Sequence, residues 1–514
     1  MVGILFSIAL ILNSHILTIK KILVANRGEI ALRIMRSAEE MGISTAAIYS
    51  EADRLMPFVR FADEAVLIGP PPSNESYLKM ETIIEKALEL EVDAIHPGYG
   101  FLSENAVFAR KVKEAGIIFI GPSPEAIEVM GDKLAAKKAV SKFDIPMVPG
   151  TEGAVEDKNE AKKIASDIGF PILIKASAGG GGKGMRIVQN EGELNEQMDR
   201  AISEAKSAFG DGSVFIEKFI TSPKHIEIQI MGDQHGNIVH LFERDCSIQR
   251  RHQKVIEEAP SAVLNDELRE KIGSSAIDVA RACNYYGAGT VEFIVDKDLN
   301  HYFLEMNTRL QVEHPVSEMI TGIDLVKEQI KVAEGNELSF SQQDLTINGH
   351  AIEVRVYAED PTNNFLPDIG KLSTYKRPMG PGVRVDDGYE ENMDIPIFYD
   401  PMISKLITHG KDRKEAIDRM LRAIREYEIT GLQTTLSFCE FVLKHQDFIS
   451  GNFSTKFIEE HFSPEKLKTN LSKEEMELAA LIGVYHLEDS ANVKDTHLAN
   501  HTGSKKRWKN RLMS

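Results

Sequence analysis

Short apolar runs alternate with longer mixed stretches through the first part of the chain. Lys21 to Asn26 (KILVAN) reads as a buried strand. After Arg27-Gly28 the stretch Glu29 to Met41 carries Ile30, Leu32, Ile34 and Met35 and reads as a helix, and Ser44 to Tyr49 reads as a second strand. The alternation recurs through Ala94-Ile95 and Ile117 to Ile120, which predicts a Rossmann-like unit over residues 19–131. No G-x-G-x-x-G follows the first strand, so no dinucleotide is assigned to this unit.

The pattern then changes. Residues 132–340 hold most of the chemically suggestive segments, with a mobile lid expected over about residues 150–220. Residues 345–462 carry short β patterns (HAIEVRVYAED, GVRVDDG) followed by a helical stretch near 412–427. Beyond 462 the chain turns polar. Glu474 to Leu487 predicts one amphipathic helix, with Met476, Ala479, Ala480, Ile482, Val484 and Leu487 at largely helical spacing and Leu481 and Tyr485 broadening the stripe. From about 490 the composition predicts disorder, ending in a basic cluster, Lys505 to Arg511, that holds the single tryptophan, Trp508. Docking of a partner chain is one expectation for the 463–514 tail; a solubilising tail, or one folded back on the third region, is the other. At the other end Val2 to Leu12 is almost wholly apolar but shorter than the ~20 residues a membrane helix needs. Residues 1–18 are read as an extension, with membrane targeting as the lesser alternative.

Composition narrows the function. The 514 residues carry a net charge of −18, with 42% hydrophobic and 27% charged positions, as in an ordinary soluble protein. That balance argues against a nucleic-acid partner, which requires a basic surface. Cys246, Cys283 and Cys439 have neither metal nor disulfide spacing and suit a reducing, cytoplasmic compartment.

Two segments carry candidate chemistry. The first is PILIKASAGGGGKGMRIV, residues 171–188. Gly179, Gly181 and Gly184 satisfy the letters of G-x-G-x-x-G, but a β-like MRIV follows instead of a helix, and no Ser or Thr follows Lys183 as a P-loop demands. What remains is a hairpin with glycines at its tip, whose N–H groups can close on phosphate oxygens, and Lys175 on the preceding strand as a point charge. A flexible surface hairpin is the plain alternative. The second segment is HYFLEMNTRLQVEHP, residues 301–315. In an extended chain Glu305, Asn307, Arg309, Gln311 and Glu313 share one face. Glu305 and Asn307 offer hard oxygen ligands for Mg²⁺, Arg309 can clamp a small oxyanion, and Glu292 in TVEFIV is a further carboxylate. A solvated edge strand is the alternative reading.

Taken together, KILVANRGEIALRI (21–34), HPGYGFLSEN (96–105), MGDK (130–133), IKASAGGGGKGMRIV (174–188), HIEIQI (225–230), ERDCSIQRRHQKVIEEAP (243–260), GAGTVEFIV (287–295), EMNTRLQVEHPVSEMITGIDL (305–325) and RVYAEDP (355–361) resemble the biotin carboxylase branch of the ATP-grasp family. They follow the family order over residues 20–460. Carbamoyl phosphate synthetase shares parts of the pattern, but its large subunit holds two tandem copies. The resemblance implies a multidomain α/β and α+β architecture: a Rossmann-like N-terminal domain (19–131), an ATP-grasp domain with a glycine-rich lid (132–340) and a C-terminal biotin carboxylase domain (345–462).

It also implies roles. Lys133, Lys175, the lid residues Gly180, Gly181, Gly182, Lys183, Gly184 and Met185, and Glu217, Lys218, Ile220, His225, Gln249, His252 and Glu292 form the ATP site. Glu292, Glu305 and Asn307 hold Mg²⁺ or Mn²⁺. Lys254, Arg309, Gln311 and the backbone of Val312 hold bicarbonate. Glu313 is the general base, and Tyr99 and Arg355 meet biotin, Arg355 stabilising its enolate. In that chemistry Glu313 takes the bicarbonate proton, attack on the γ-phosphate gives carboxyphosphate, and its breakdown supplies CO₂ to biotin. Glu313 is expected to keep a near-normal carboxylate pKa, because the proton is passed on. No Met-Lys-Met sequence occurs. A biotin carboxyl carrier protein and a carboxyltransferase are therefore expected as separate chains, with the enzyme a homodimer serving an acetyl-CoA or propionyl-CoA carboxylase. A two-subunit pyruvate carboxylase is the alternative, and a catalytically dead ATP-grasp scaffold the remote one.

Overall fold

The first strand and helix fall where their hydrophobicity places them. In the computed structural model, β1 (Lys21–Val24) buries Ile22, Leu23 and Val24 completely, and α1 (Gly28–Glu40) follows it directly. The structure describes residues 18–151, 153, 155, 158–176, 185–209, 212–251, 253–467, 474 and 476–485. They divide into two compact units, residues 1–463 and 464–514. In the second, residues 476–485 are helical, and Met476, Leu478, Leu481, Ile482, Val484 and Tyr485 are exposed.

The first unit opens with a five-stranded parallel sheet in the order β3 (Glu64–Gly69), β2 (Ser44–Ser50), β1, β4 (Ala94–His96), β5 (Ile118–Phe119). Leu23, Ile48, Ile95, Phe108 and Val112 share its core. Covered parallel strands read as continuous apolar runs, and that is why this part was legible.

A three-stranded antiparallel sheet, β7 (Met185–Val188), β6 (Ile172–Ala176), β8 (Val214–Lys218), forms the next layer. Its core joins Ile172, Ile174, Val214 and Ile216 to Ala161 of α2 (Lys158–Ile168) and Leu194 and Met198 of α3 (Glu191–Phe209). The expected glycine hairpin is present as the β6–β7 pair; its tip, with Gly180 to Gly184, lies outside the described residues.

The largest sheet has eight antiparallel strands, in the order β13 (His301–Asn307), β12 (Gly287–Val295), β9 (Lys224–Gly232), β10 (Ile238–Arg250), β11 (Gln253–Ala259), β14 (His350–Tyr357), β19 (Met402–Gly410), β18 (Val383–Asp387). Two short ribbons, β15 (Glu359–Asp360) with β16 (Leu366–Pro367) and β17 (Thr374–Lys376) with β20 (Glu428–Thr430), complete the strands. The division expected between residues 340 and 345 crosses this sheet. β11 pairs with β14 through Ile256 to Ala259, Glu257 opposite Glu353, so the edge of one region is completed by the next. Val316 and Ile320 of α4 (His314–Thr321) pack with Ala259, Ala351 and Ile407 beneath that junction. The helix expected near 412–427 is α5 (Arg413–Glu426), capped by the Asp412 side chain.

Candidate active site

Alternation along the central strands puts polar side chains on one face of an otherwise apolar sheet. His225, Glu227 and Gln229 alternate along β9, and all are buried. Glu292 on β12 stands opposite Glu227, with Glu305 of β13 on its other side. Lys254 projects from β11 and Arg355 from β14. Glu313 sits at the N-cap of α4. The segment 301–313 is not one extended strand as expected. β13 ends at Asn307, and residues 308–313 turn into α4. That turn brings Gln311 and Glu313 back toward Glu292 and Lys254.

Lys254 is the hub. Its Nζ lies 2.8 Å from Glu313 and 3.1 Å from Glu292, and it also pairs with Glu227. Arg355 bridges Glu313 at 2.9 Å and Glu257 at 2.6 Å. His225 Nε2 is 3.0 Å from both Glu227 and Glu292. Buried charges persist only when compensated, and each shift here follows from a neighbour. Burial disfavours the His225 cation, but Glu292 and Glu227 outweigh it and lift the imidazole to about 10. Burial likewise opposes the Lys254 ammonium, and its three carboxylates hold it well above the usual lysine range. The expectation for Glu313 is corrected. Burial and Glu227 push its carboxyl up, yet Lys254, Arg355 and Arg244 together hold it below the usual carboxylate range.

Arg309 lies at the rim. Its Nε donates to Glu104 at 2.8 Å and its Nη2 to the Asn307 amide oxygen at 3.0 Å, while Glu104 also accepts the Thr308 N–H at 3.1 Å. Below, the fully buried Arg244 donates to Gln229 at 2.7 Å, Ser317 and Thr290 at 3.0 Å, and also to Gln311. It thereby fixes the Gln311 amide, whose Nε2 reaches Glu292 at 3.1 Å.

A second group of charges lies on the three-stranded sheet. Lys175 meets Glu217 at 2.5 Å, and Lys137 pairs with the other oxygen of that carboxylate. Lys218 donates instead to the carbonyls of Gly169 at 2.8 Å and Phe170 at 3.2 Å. Gln249, at the end of β10, donates to the Cys246 carbonyl at 2.8 Å; Ile220 is half-buried just after β8, and Met185 starts β7. His252 and the Lys133 side chain lie outside what is described.

Tyr99 is placed by its loop. Gly98 takes φ +63°, and a Cβ there would stand 2.9 Å from the Asn26 amide, which donates to the carbonyls of Pro97 at 2.7 Å and Tyr99 at 2.8 Å. The Tyr99 hydroxyl then donates to Glu29. Burial pushes Glu29 up to about 7 against the pull of Lys405, and the Lys405 ammonium, 3.3 Å from Glu29, donates to the Val312 carbonyl at 2.9 Å. One lysine thus ties the Tyr99 side of the site to the Val312 backbone.

Three family profiles match this chain: "Biotin carboxylase, N-terminal domain" over residues 18–127, "Carbamoyl-phosphate synthase L chain, ATP binding domain" over 132–341 and "Biotin carboxylase C-terminal domain" over 353–460. Biotin carboxylase of Nostoc sp. is 54% identical over 86% of this chain and 98% of its own length. The chain belongs to the biotin carboxylase family. A pyruvate carboxylase subunit of Methanothermobacter thermautotrophicus is 53% identical over 86% of this chain and 90% of its own. The crystal structure of the biotin carboxylase domain dimer of Hydrogenobacter thermophilus 2-oxoglutarate carboxylase, in complex with MgADP, ADP and bicarbonate, superposes with a TM-score of 0.82 at 49% identity, covering 88% of this chain and 99% of that one. Biotin carboxylases are ATP-dependent ligases, and this chain carries their three domains.

The metal ligands that family membership implies fit what is here. Glu292 is buried and accepts from Asn307 at 2.8 Å, and Glu305 sits across from it in register on the exposed side of β13. Carboxylate and amide oxygens suit Mg²⁺ or Mn²⁺. Several residues of this site were not singled out from sequence: Glu227, Arg244, Glu257, Lys137, Lys405 and Glu104. A signal existed for Glu227, since His225, Glu227 and Gln229 break the apolar strand at alternate positions. Glu104 lies in a loop, and no pattern tied it to Arg309.

Proposed function

We propose that this chain carboxylates biotin presented by a biotin carboxyl carrier protein, using ATP and bicarbonate, as the biotin carboxylase subunit of an acetyl-CoA or propionyl-CoA carboxylase. The observation that carries this is Glu313, held between two cations that suit two different substrates. Lys254, with Arg309, Gln311 and the Val312 N–H, binds bicarbonate. Glu313 removes its proton, and the freed oxygen attacks the γ-phosphate, forming carboxyphosphate and releasing ADP. Lys175 and Lys133 hold the phosphates, and the glycine lid excludes water from the intermediate. A divalent metal held by Glu292, Glu305 and Asn307 supplies charge neutralisation on the phosphates. Carboxyphosphate breaks into CO₂ and phosphate. That phosphate takes the ureido proton of biotin, Arg355, already charged and aimed at Glu313, pairs with the anion left behind, and the deprotonated nitrogen attacks the CO₂ carbon to give carboxybiotin. Tyr99, fixed by Glu29, lines the biotin side.

The acyl acceptor lies beyond this chemistry, because carboxybiotin is the common product. Service in a two-subunit pyruvate carboxylase is the second reading, favoured by the Methanothermobacter relative. The enzyme is proposed to act as a homodimer in the cytoplasm, with a carboxyltransferase partner; the first and third domains are proposed to form the dimer interface. Among the described residues no helix is long and apolar enough to cross a membrane.

The test is ADP release with free biotin. The proposal requires ATP cleavage that depends on bicarbonate and rises with biotin. A nucleotide-binding scaffold would show neither. Co-purification of the native complex then decides the acceptor through the carboxyltransferase it contains.

A further inference from the structure

Away from the active site, the closing helices of the first unit bring two imidazoles and a carboxylate to one point. His445 links the helix Leu436–Lys444 to the short helix Gln446–Ser450, Asp447 stands in the first turn of the latter, and His461 ends the helix Phe457–His461. Asp447 Oδ2 lies 3.3 Å from His461 Nε2 and 3.6 Å from His445 Nδ1, and the three ligand atoms all fall within 4.8 Å of one another. We propose that His445, Asp447 and His461 form a binding site for a zinc-type transition-metal dication that fastens the last two helical segments together.

The spacing supports it. Zinc bonds of about 2.0–2.1 Å in tetrahedral array put ligand atoms about 3.3–3.4 Å apart. Two of the three edges already have that length to within a few tenths of an ångström. Two imidazoles and one carboxylate are a recurrent three-ligand zinc set that leaves a fourth position for water. Imidazole-rich donors distinguish this site from the all-oxygen set at Glu292, Glu305 and Asn307, which suits Mg²⁺. The three side chains are 24%, 36% and 29% exposed, so an ion has a path in. Phe457 packs against the His445 ring at 5.1 Å and Phe441 at 5.9 Å, which holds that ring in place. His445 Nδ1 accepts the Asp447 N–H at 3.3 Å, a long contact that a metal can replace.

The rival is an ion pair between Asp447 and protonated imidazoles, which needs no metal. The experiment is titration of the full, chelator-treated chain with Co²⁺, then Zn²⁺, in saturating Mg²⁺. The proposal requires one equivalent of Co²⁺ to give the visible band of a four-coordinate ion, and Zn²⁺ to abolish it. His445→Ala and His461→Ala should each weaken Zn²⁺ by more than the ~10–100-fold that changes behind a ligand produce. Glu292→Gln should keep the band, which excludes the His225–Glu227–Glu292 cluster as its source. Asp447→Asn, nearly isosteric, guards against a folding defect: it should keep the circular dichroism of wild type and still lose Zn²⁺ affinity. Zn²⁺ binding unchanged in the His445→Ala/His461→Ala double variant, or no stoichiometric binding by wild type, overturns the proposal.

Discussion

Lys254 Nζ and Glu313 Oε1 stand 2.8 Å apart inside the protein, so the proposed base is pinned to the cation proposed to bind bicarbonate. Arg355 holds the other carboxylate oxygen at 2.9 Å. Glu313 is thus ionised and oriented before any ligand arrives, and bicarbonate entering beside Lys254 meets a carboxylate ready to accept its proton. Glu313→Gln keeps the shape but cannot take the proton. Bicarbonate-dependent ATP cleavage is expected to fall by ~10²–10⁴, with ADP affinity unchanged by calorimetry. Near-normal turnover would remove Glu313 as the base.

Arg309→Ala removes the guanidinium at the mouth of the proposed bicarbonate site and leaves the Lys175–Glu217 group intact. Carboxylation should collapse while ATP affinity stays near wild type. Glu104→Gln tests whether the 2.8 Å contact positions Arg309. It should raise the KM for bicarbonate more than it lowers kcat. Equal losses of ATP binding and rate in Arg309→Ala would show that the residue serves the nucleotide.

Arg355→Gln should separate the two half-reactions. ATP cleavage driven by bicarbonate should persist, because Lys254 still orders Glu313, while biotin carboxylation is lost. Loss of both together in a folded variant would place Arg355 in the first step.

Glu258 gives a pH prediction outside the site. It is buried beside His350 at 2.9 Å and Arg413 at 2.7 Å. Burial raises its carboxyl, but these partners hold it at about 2, against 4.5 for the unfolded chain. A depressed acid adds stability that is present above 4.5 and lost as pH falls through 2. Relative to Glu258→Gln, wild type should be more stable at neutral pH by on the order of 3 kcal/mol. Urea midpoints of the two proteins, compared at pH 7 and at pH 3, should converge as the pH drops. A constant difference would refute the linkage.

How much of this was legible depended on whether the signal was local. The runs Ile22-Leu23-Val24 and Ala46-Ala47-Ile48 announce covered parallel strands by themselves. The β6–β7 hairpin was visible because its glycines separate two apolar strands. The pairing of β11 with β14 was not, because strand partners are chosen by packing between residues far apart in sequence. The same limit hid Lys405, whose ammonium reaches the Val312 carbonyl, and Glu257, which answers Arg355. The polar alternation 305–313 rested on the wrong geometry: a turn after Asn307, not a continued strand, delivers Gln311 and Glu313 toward Glu292 and Lys254.

The end of the first unit sets where the chain can be cut. Phe462 closes an aromatic cluster, with ring centroids 4.8 Å from Phe438 and 5.6 Å from both Phe441 and Phe365. Such pairs contribute about 0.5–1.5 kcal/mol each beyond their buried area, so the half-buried Phe462 helps anchor the first unit although it follows that unit's last helix. Truncation after Ser463 leaves that cluster whole and removes the helix 476–485 with its exposed apolar side chains. The truncated chain is expected to keep its thermal midpoint and to carboxylate free biotin at the wild-type rate. If the tail docks a partner, assembly with the carboxyltransferase and carrier chains weakens in the same protein, as sedimentation of the mixed chains would report. Truncation after His461, one aromatic ring shorter, should lower the thermal midpoint measurably. Equal midpoints for the two truncations would show that Phe462 does not anchor the domain, and loss of activity on truncation after Ser463 would place the tail in the catalytic fold.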